Sequence, residues 1–112
     1  MGRLQVKRLL KTADILPLLS DIAAHRQEHF IVLSVDTGRK LITKRVVFIA
    51  AGIVVAHNHP SGDPTPSKQD IATTQQLIAA GQILGVTMYD HVIVAGHRHY
   101  SFSANGMIAT WR

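Results

Sequence analysis

Residues 56–70 read AHNHPSGDPTPSKQD, and this stretch decides how the chain is organised. Two histidines, His57 and His59, stand one residue apart after an apolar run, and ten residues separate the second from Asp70. Side chains at positions i and i+2 of an extended strand point the same way, so both imidazoles can face one point. A loop that doubles back brings Asp70 to that point too. Two nitrogens and one oxygen, with a fourth position left for water, form the ligand set of a catalytic zinc site.

The segment between the histidines and the aspartate predicts a stiff, open loop. Pro60, Pro64 and Pro66 each fix one backbone torsion and lower the entropy cost of ordering the loop. Ser67 and Asp70 then have the spacing of a capping box that begins a helix. A His-x-His pair alone is usually a surface feature or a hydrogen-bonded core pair, and a capping box alone is usually only a cap. Their combination after an apolar strand favours a metal site.

Working outward from this stretch, the hydrophobic pattern predicts two helices and five strands. The segment Ile53–His57 is short and apolar, as in a strand buried on both faces of a layered domain. The predicted helices are Ala13–Arg26, with Thr12 as a possible N-cap, and Ser67–Leu84. The other predicted strands are His29–Val35, Leu41–Ile49, Val86–Ala95 and His99–Ser103. This order predicts an α/β domain with a mixed sheet.

The composition limits the class of protein. The chain has 112 residues, enough for one domain with one core, and no cysteine, so any metal must be held by histidine and carboxylate side chains. No apolar run approaches the length of a membrane span, and we expect an intracellular, cytoplasmic protein. The net charge is +5. Such a charge favours polyanions such as DNA, or it is an ordinary solvated surface; the sequence leaves both open.

Hydrolysis also needs a base that takes a proton from water. Glu28 is the only glutamate in the chain and stands directly before a predicted strand. Its position is equally typical of an exposed carboxylate at the start of a strand.

Taken together, these residues resemble a known family. The spacing of Glu28, the His57-x-His59 pair, Ser67 and Asp70 resembles the JAMM (JAB/MPN) metallopeptidase motif. Three longer segments, EHF at 28–30, AHNHPSGDPTPS at 56–67 and DHVIV at 90–94, are similar to sequences of the bacterial RadC family. The resemblance covers roughly residues 10–102. It corresponds to the C-terminal domain of those proteins, without their N-terminal helical region.

The resemblance implies a three-layer α-β-α fold of the cytidine-deaminase-like (JAB/MPN) type with a mixed sheet. It implies a Zn²⁺ ion held by His57, His59 and Asp70, with Glu28 as general base and Ser67 helping to stabilise the oxyanion. The reaction it implies is hydrolysis of a peptide or isopeptide bond in a peptide or protein substrate. RadC proteins have also carried a DNA-repair label, so a non-enzymatic DNA-associated domain is the alternative, and a JAMM-like scaffold without turnover is a third possibility.

One feature departs from the family pattern. Residues 46–56 form a single apolar run, VVFIAAGIVVA, where RadC-like proteins have a connection of some twenty residues containing a helix. A parallel crossover needs about a dozen residues or more. We therefore predict that a segment is missing from the sequence near Ala50–Ala51.

Two further residues near the motif have less specific expectations. His91 follows Asp90, and we expect it to begin or pack against the fifth predicted strand rather than to bind a metal. Asp63 is expected to order the loop between the histidines and the helix.

Overall fold

A computed structural model describes residues 9, 11–19, 23, 28, 30–35, 40–41 and 52–108. Within these ranges the first helical turn, α1, spans Thr12–Ile15 and continues as a 3₁₀ turn over Leu16–Leu19. The remaining elements are the strands and one long helix, in the order β1 (Phe30–Val35), β2 (Gly52–Asn58), α2 (Lys68–Leu84), β3 (Thr87–Ala95) and β4 (Arg98–Ser101).

The four described strands form one mixed sheet in the order β1-β2-β3-β4. β1 pairs antiparallel with β2, β2 pairs parallel with β3, and β3 pairs antiparallel with β4. The parallel pair is joined through the proline-rich loop and α2, as a parallel connection requires. The α/β fold with a mixed sheet that the sequence predicts is therefore confirmed.

Buried side chains on β2 and β3 alternate between two cores, one on each face of the sheet. On one face Val54, Ala56 and Val92 pack with Leu9 and Ile15 of the N-terminal segment. The opposite core contains Val55, Met88, Ile93, Phe102 and Ile108, and α2 packs against it through Ile71, Leu77 and Ile78. The sheet thus lies between two helical layers. This explains why β2 is apolar on both faces, as predicted for a central strand.

The register of the parallel pair places two histidines on the same face. Val55 lies opposite His91, and His57 lies opposite Ile93. Because side chains alternate along a strand, His57 and His91 both face α2, on neighbouring strands.

The long helix begins and ends as the sequence predicts. Ser67 is its N-cap, with both hydrogen bonds of the capping box to Asp70, and Gly85 follows it in the left-handed conformation (φ 73°) that glycine adopts without strain. In the described ranges, no helix combines the length and hydrophobicity needed to cross a membrane.

The N-terminal helix differs from the prediction in its start and its form. The N-cap is Lys11 rather than Thr12, and the α-helical turn ends at Ile15. Pro17 lies in the 3₁₀ turn that follows. Proline has no backbone N–H to donate and its ring crowds the preceding turn, so the α-helical ladder is interrupted there. Residues 20–22 and 24–26 of the predicted helix lie outside the described residues.

Two predictions made near the middle of the chain reach beyond the described ranges. Leu41 forms an antiparallel bridge with Val35, which places the start of the predicted return strand beside β1. The rest of that strand and the predicted break at Ala50–Ala51 lie outside the described residues, so the break stays a prediction.

A buried carboxylate links β3 to the segment that follows β4. Asp90 is fully buried and accepts hydrogen bonds from the backbone N–H of His91 (2.7 Å), the hydroxyl of Ser101 (2.6 Å) and the backbone N–H of Ser103 (2.9 Å). The carboxylate therefore positions His91 and the turn after β4 together.

Replacing this carboxylate tests the link. Asp90→Asn replaces one of the accepting oxygens by an amide nitrogen that only donates, so either the Ser101 hydroxyl must turn to accept or a buried backbone N–H loses its acceptor. We expect the free energy of unfolding to fall by about 2–4 kcal/mol, measured by urea denaturation. The control Asp14→Asn, at a partly exposed carboxylate, should change it by less than about 1 kcal/mol. Equal stability of the two variants would contradict this role.

Candidate metal centre

The two histidines of the central motif come from the end of β2. His57 is 4% exposed and faces α2, and His59 follows directly after the strand, partly exposed. Their Nε2 atoms lie 3.0 Å apart. The i, i+2 spacing has therefore brought both imidazoles to one point.

The capping box brings the third donor to the same point. The backbone N–H of Ser67 donates to Oδ2 of Asp70 at 2.8 Å, and the Asp70 N–H donates to the Ser67 hydroxyl at 3.0 Å. These bonds hold the Asp70 carboxylate at the end of the helix. Oδ1 lies 3.2 Å from Nε2 of His57, and Oδ2 lies 3.1 Å from Nε2 of His59.

The triangle formed by these three donors has the size that a small metal ion needs. The two Nε2 atoms lie 3.0 Å apart, and each lies close to a different oxygen of Asp70, Oδ1 at 3.2 Å from His57 and Oδ2 at 3.1 Å from His59. Ligands at 2.0–2.1 Å from a tetrahedral centre are separated by roughly 3.3–3.4 Å, so slight spreading of the two nitrogens and the carboxylate would admit an ion. The geometry and chemistry of this donor set fit a metal.

The hydrogen bond at Nδ1 of His59, the ring nitrogen that faces away from Asp70, also favours metal binding. Nδ1 of His59 lies 2.9 Å from the backbone carbonyl of Asp63. A carbonyl only accepts, so Nδ1 carries the proton, and in the neutral ring Nε2 keeps its lone pair. The Asp63 carboxylate instead accepts from the backbone N–H and hydroxyl of Thr65, at 3.0 and 2.7 Å. Asp63 therefore orders the loop, as expected.

Glu28 lies at the open side of the triangle. Its Oε2 is 3.9 Å from Nε2 of His57, and its side chain is 61% exposed, against 14% for Asp70. One donor atom each from Glu28, His57 and His59 also lie within 4.8 Å of one another. Two overlapping donor sets thus share the histidines. Asp70 is the closer and more buried carboxylate, while Glu28 can reach either an ion or a water beside it.

A pocket of about 280 Å³ lies beside these donors. It is lined by Glu28, Phe30, His57, Asp70, Thr73 and His91. Phe30 is 52% exposed, and its ring stacks on His57 with centroids 6.0 Å apart. Sequence reasoning missed Phe30 and Thr73 as pocket residues. The spacing of Phe30, two residues after Glu28, could have indicated a shared face.

Sequence reasoning also underestimated His91. It is 1% exposed; its Nε2 lies 2.8 Å from Nδ1 of His57, and its Nδ1 lies 2.6 Å from the hydroxyl of Thr74 on α2. A histidine inside a strand, directly before the apolar run at 92–95, was the available signal. Its contact with His57 depends on strand register, which the sequence alone did not supply.

Burial and charge act differently on the ionisable groups of the centre. Burial lowers the pKa of His57, although Asp70 opposes this. Partial burial raises the pKa of Asp70, but the hydrogen bonds from Ser67 and the neighbouring imidazoles outweigh it, so the net pKa is lowered. Burial also lowers the pKa of His91 to about 4. Near neutral pH, therefore, His57 is a neutral imidazole and Asp70 a carboxylate, the forms that bind metals.

The hydroxyl of Ser67, proposed from the resemblance to stabilise an oxyanion, serves here as acceptor for the helix cap. That bond leaves its own proton available for donation.

Comparison with known proteins gives a consistent set of relatives. A family model described as the RadC-like JAB domain matches residues 48–107. A UPF0758 protein of Bacillus cereus (strain B4264) is 35% identical over 81% of this chain and 50% of its own length. A UPF0758 protein of Bacillus licheniformis has the same identity and coverage, and one of Syntrophomonas wolfei is 34% identical over 96% of this chain and 57% of its own. The chain thus spans about half the length of the curated relatives it matches.

The match to the Syntrophomonas wolfei protein extends over 135 residues, more than the 112 of this chain. That relative therefore has residues within the match that have no counterpart here.

The lowered pKa of His91 makes a prediction for the metal-free protein. The folded value is about 4 and the ordinary value 6.5, so between these values the unfolded chain binds more protons. The contribution to stability is complete above pH 6.5 and is lost as pH falls toward 4, at most about 3 kcal/mol.

Urea denaturation in the presence of chelator, from pH 7 to 4.5, measures this loss. His91→Gln should flatten the pH dependence, whereas His99→Gln, at an exposed histidine, should leave it unchanged. An unchanged slope in His91→Gln would contradict the prediction.

Proposed function

We propose a metal-dependent hydrolase function for this chain, which belongs to the family of RadC-like JAB domains. The metal is Zn²⁺ and the substrate is a peptide or protein cleaved at a peptide or isopeptide bond. The observation that carries the proposal is the triangle of His57, His59 and Asp70, in which the two Nε2 atoms lie 3.0 Å apart and each lies 3.1–3.2 Å from an oxygen of Asp70. The hydrogen bond from Nδ1 of His59 to a backbone carbonyl leaves the Nε2 of its neutral ring with a lone pair. Such a set has little use in a domain that only binds a partner.

Zinc is the metal that this donor set favours. Two imidazoles and one carboxylate, with an open fourth position, are typical ligands of catalytic zinc, and magnesium or calcium would prefer oxygen ligands. When bound, the ion would supply the Lewis acidity that activates water and polarises a carbonyl.

Glu28 is proposed as the base and not as the third ligand. Asp70 already supplies a closer carboxylate, fixed by the capping box, whereas Glu28 stands exposed at the mouth of the pocket. From there it would take a proton from the attacking water as the new C–O bond forms, and pass it to the leaving nitrogen as the C–N bond breaks. The hydroxyl of Ser67 would donate to the developing oxyanion.

The shape of the pocket is compatible with a chain-like substrate. It is open, and the exposed ring of Phe30 lines it beside His57. An apolar wall next to the reacting groups would hold a substrate side chain while the carbonyl faces the donors. The DNA-associated alternative rests on the net charge of +5 and would show as strongly salt-dependent DNA binding.

Metal content is the first test. We expect the purified protein, loaded with zinc and dialysed, to retain one zinc per chain by elemental analysis. His57→Ala should lose it, because two donors alone hold the ion weakly. The matched control His99→Ala, at an exposed histidine, should retain it. Zinc retained by His57→Ala would place the metal elsewhere.

The role of Glu28 is tested by Glu28→Gln, which keeps size and polarity but cannot accept the proton. We expect zinc content and folding close to those of the original chain, and a loss of at least ~10²-fold in hydrolysis. The assay is a peptide and isopeptide screen of the zinc-loaded protein, with chelator as the negative control. Turnover of an active substrate by Glu28→Gln near the original rate would exclude this mechanism.

A further inference from the structure

A line of buried, hydrogen-bonded polar groups connects α2 with Nδ1 of His57, the ring nitrogen that faces away from Asp70. The hydroxyl of Thr74 lies 2.8 Å from the backbone carbonyl of Asp70 and 2.6 Å from Nδ1 of His91. Nε2 of His91 lies 2.8 Å from Nδ1 of His57. Thr74 is 2% exposed and His91 1% exposed, so the line is shielded from water.

The direction of each hydrogen bond in this line follows from its first member. The Asp70 carbonyl can only accept, and two oxygens 2.8 Å apart repel unless a proton lies between them. The Thr74 hydroxyl therefore donates to Asp70. Its oxygen must then accept from Nδ1–H of His91, which leaves Nε2 of His91 as an acceptor in the neutral ring.

The last bond of the line sets the tautomer of His57. Since Nε2 of His91 accepts, Nδ1 of His57 carries the proton and donates. Nε2 of His57 is then left with its lone pair facing Asp70 and His59. His59 reaches the same state through the Asp63 carbonyl.

If the hydrogen bonds of this line ran in the opposite direction, His57 would adopt the other tautomer. If His91 donated from Nε2, His57 would carry its proton on Nε2 and donate it to Asp70 across 3.2 Å. That arrangement closes the site with a histidine–carboxylate hydrogen bond and competes with metal binding. The threonine hydroxyl is the group that disfavours it.

We propose that Thr74 and His91 are positioning residues that hold His57 in the tautomer able to bind a metal at Nε2. The inference rests on the proposed metal site but not on the reaction performed there. The ring of His91 is itself held in place, stacked on Phe102 with centroids 4.6 Å apart and planes inclined by 7°. Its backbone is fixed by Asp90. Partners that orient a metal-binding histidine typically change metal affinity by 10–100-fold.

The test uses a matched pair of variants at one position. Thr74→Val keeps the shape of the side chain but removes the hydroxyl, and Thr74→Ser keeps the hydroxyl. Zinc affinity is measured by competition with a chromophoric chelator, and folding by thermal denaturation. We expect Thr74→Val to bind zinc 10–100-fold more weakly, with Thr74→Ser close to the original chain. Equal zinc affinity in Thr74→Val and the original chain would overturn the proposal, even if Thr74→Val were less stable.

A second measurement needs no variant. Long-range ¹H–¹⁵N correlation spectra of the metal-free, ¹⁵N-labelled protein report which ring nitrogen carries the proton. We expect His57 and His91 as the Nδ1–H tautomers; a His57 protonated on Nε2 would overturn the proposal even if Thr74→Val failed to fold. Absence of hydrolysis by the zinc-loaded protein would count against the proposed function while leaving both of these readouts unaffected.

Discussion

The arrangement of the site depends on one constraint, the fixed position of the Asp70 carboxylate against two imidazole nitrogens. The Asp70 carboxylate accepts a hydrogen bond from the backbone N–H of Ser67, and Ser67 is also the N-cap of α2. A single capping box therefore both starts the helix and aims the third donor. Because α2 packs on the core beside β2 and β3, the position of the helix sets the distance between carboxylate and histidines. Loss of the cap would disturb the fold and the site together.

Behind these donors the protein buries a line of hydrogen-bonded polar side chains, at positions where apolar side chains could pack instead. His57, His91 and Thr74 lie between the sheet and α2, next to Val55 and Ile93. Burying polar groups is costly unless each is hydrogen-bonded, and here the contacts run without a gap from Asp70 to the site. Such a line specifies proton positions, which apolar side chains cannot do. This is consistent with a site built for a metal and its chemistry, as we propose.

Much of this could be predicted from the sequence, because it is local. The i, i+2 histidines, the capping box and the apolar strand depend on spacing along the chain, and the structure brings His57, His59 and Asp70 together with Glu28 beside them. The parts that were missed depend on contacts between elements. The contact of His91 with His57 follows from the parallel register, and Thr74 reaches His91 only across the sheet–helix interface. The 3₁₀ turn at Pro17 was missed because an apolar period extends past a local break in the hydrogen-bond ladder.

The central claim is that His57, His59 and Asp70 bind one zinc ion. The most direct measurement is a crystal structure of the zinc-loaded protein with an anomalous difference map collected at the zinc absorption edge. We predict one strong peak about 2.0–2.1 Å from Nε2 of both histidines and about 2.0–2.2 Å from the Asp70 carboxylate, with Glu28 beside the fourth position. A site still closed by a hydrogen bond from His57 to Asp70, with the zinc peak at other residues, would contradict it.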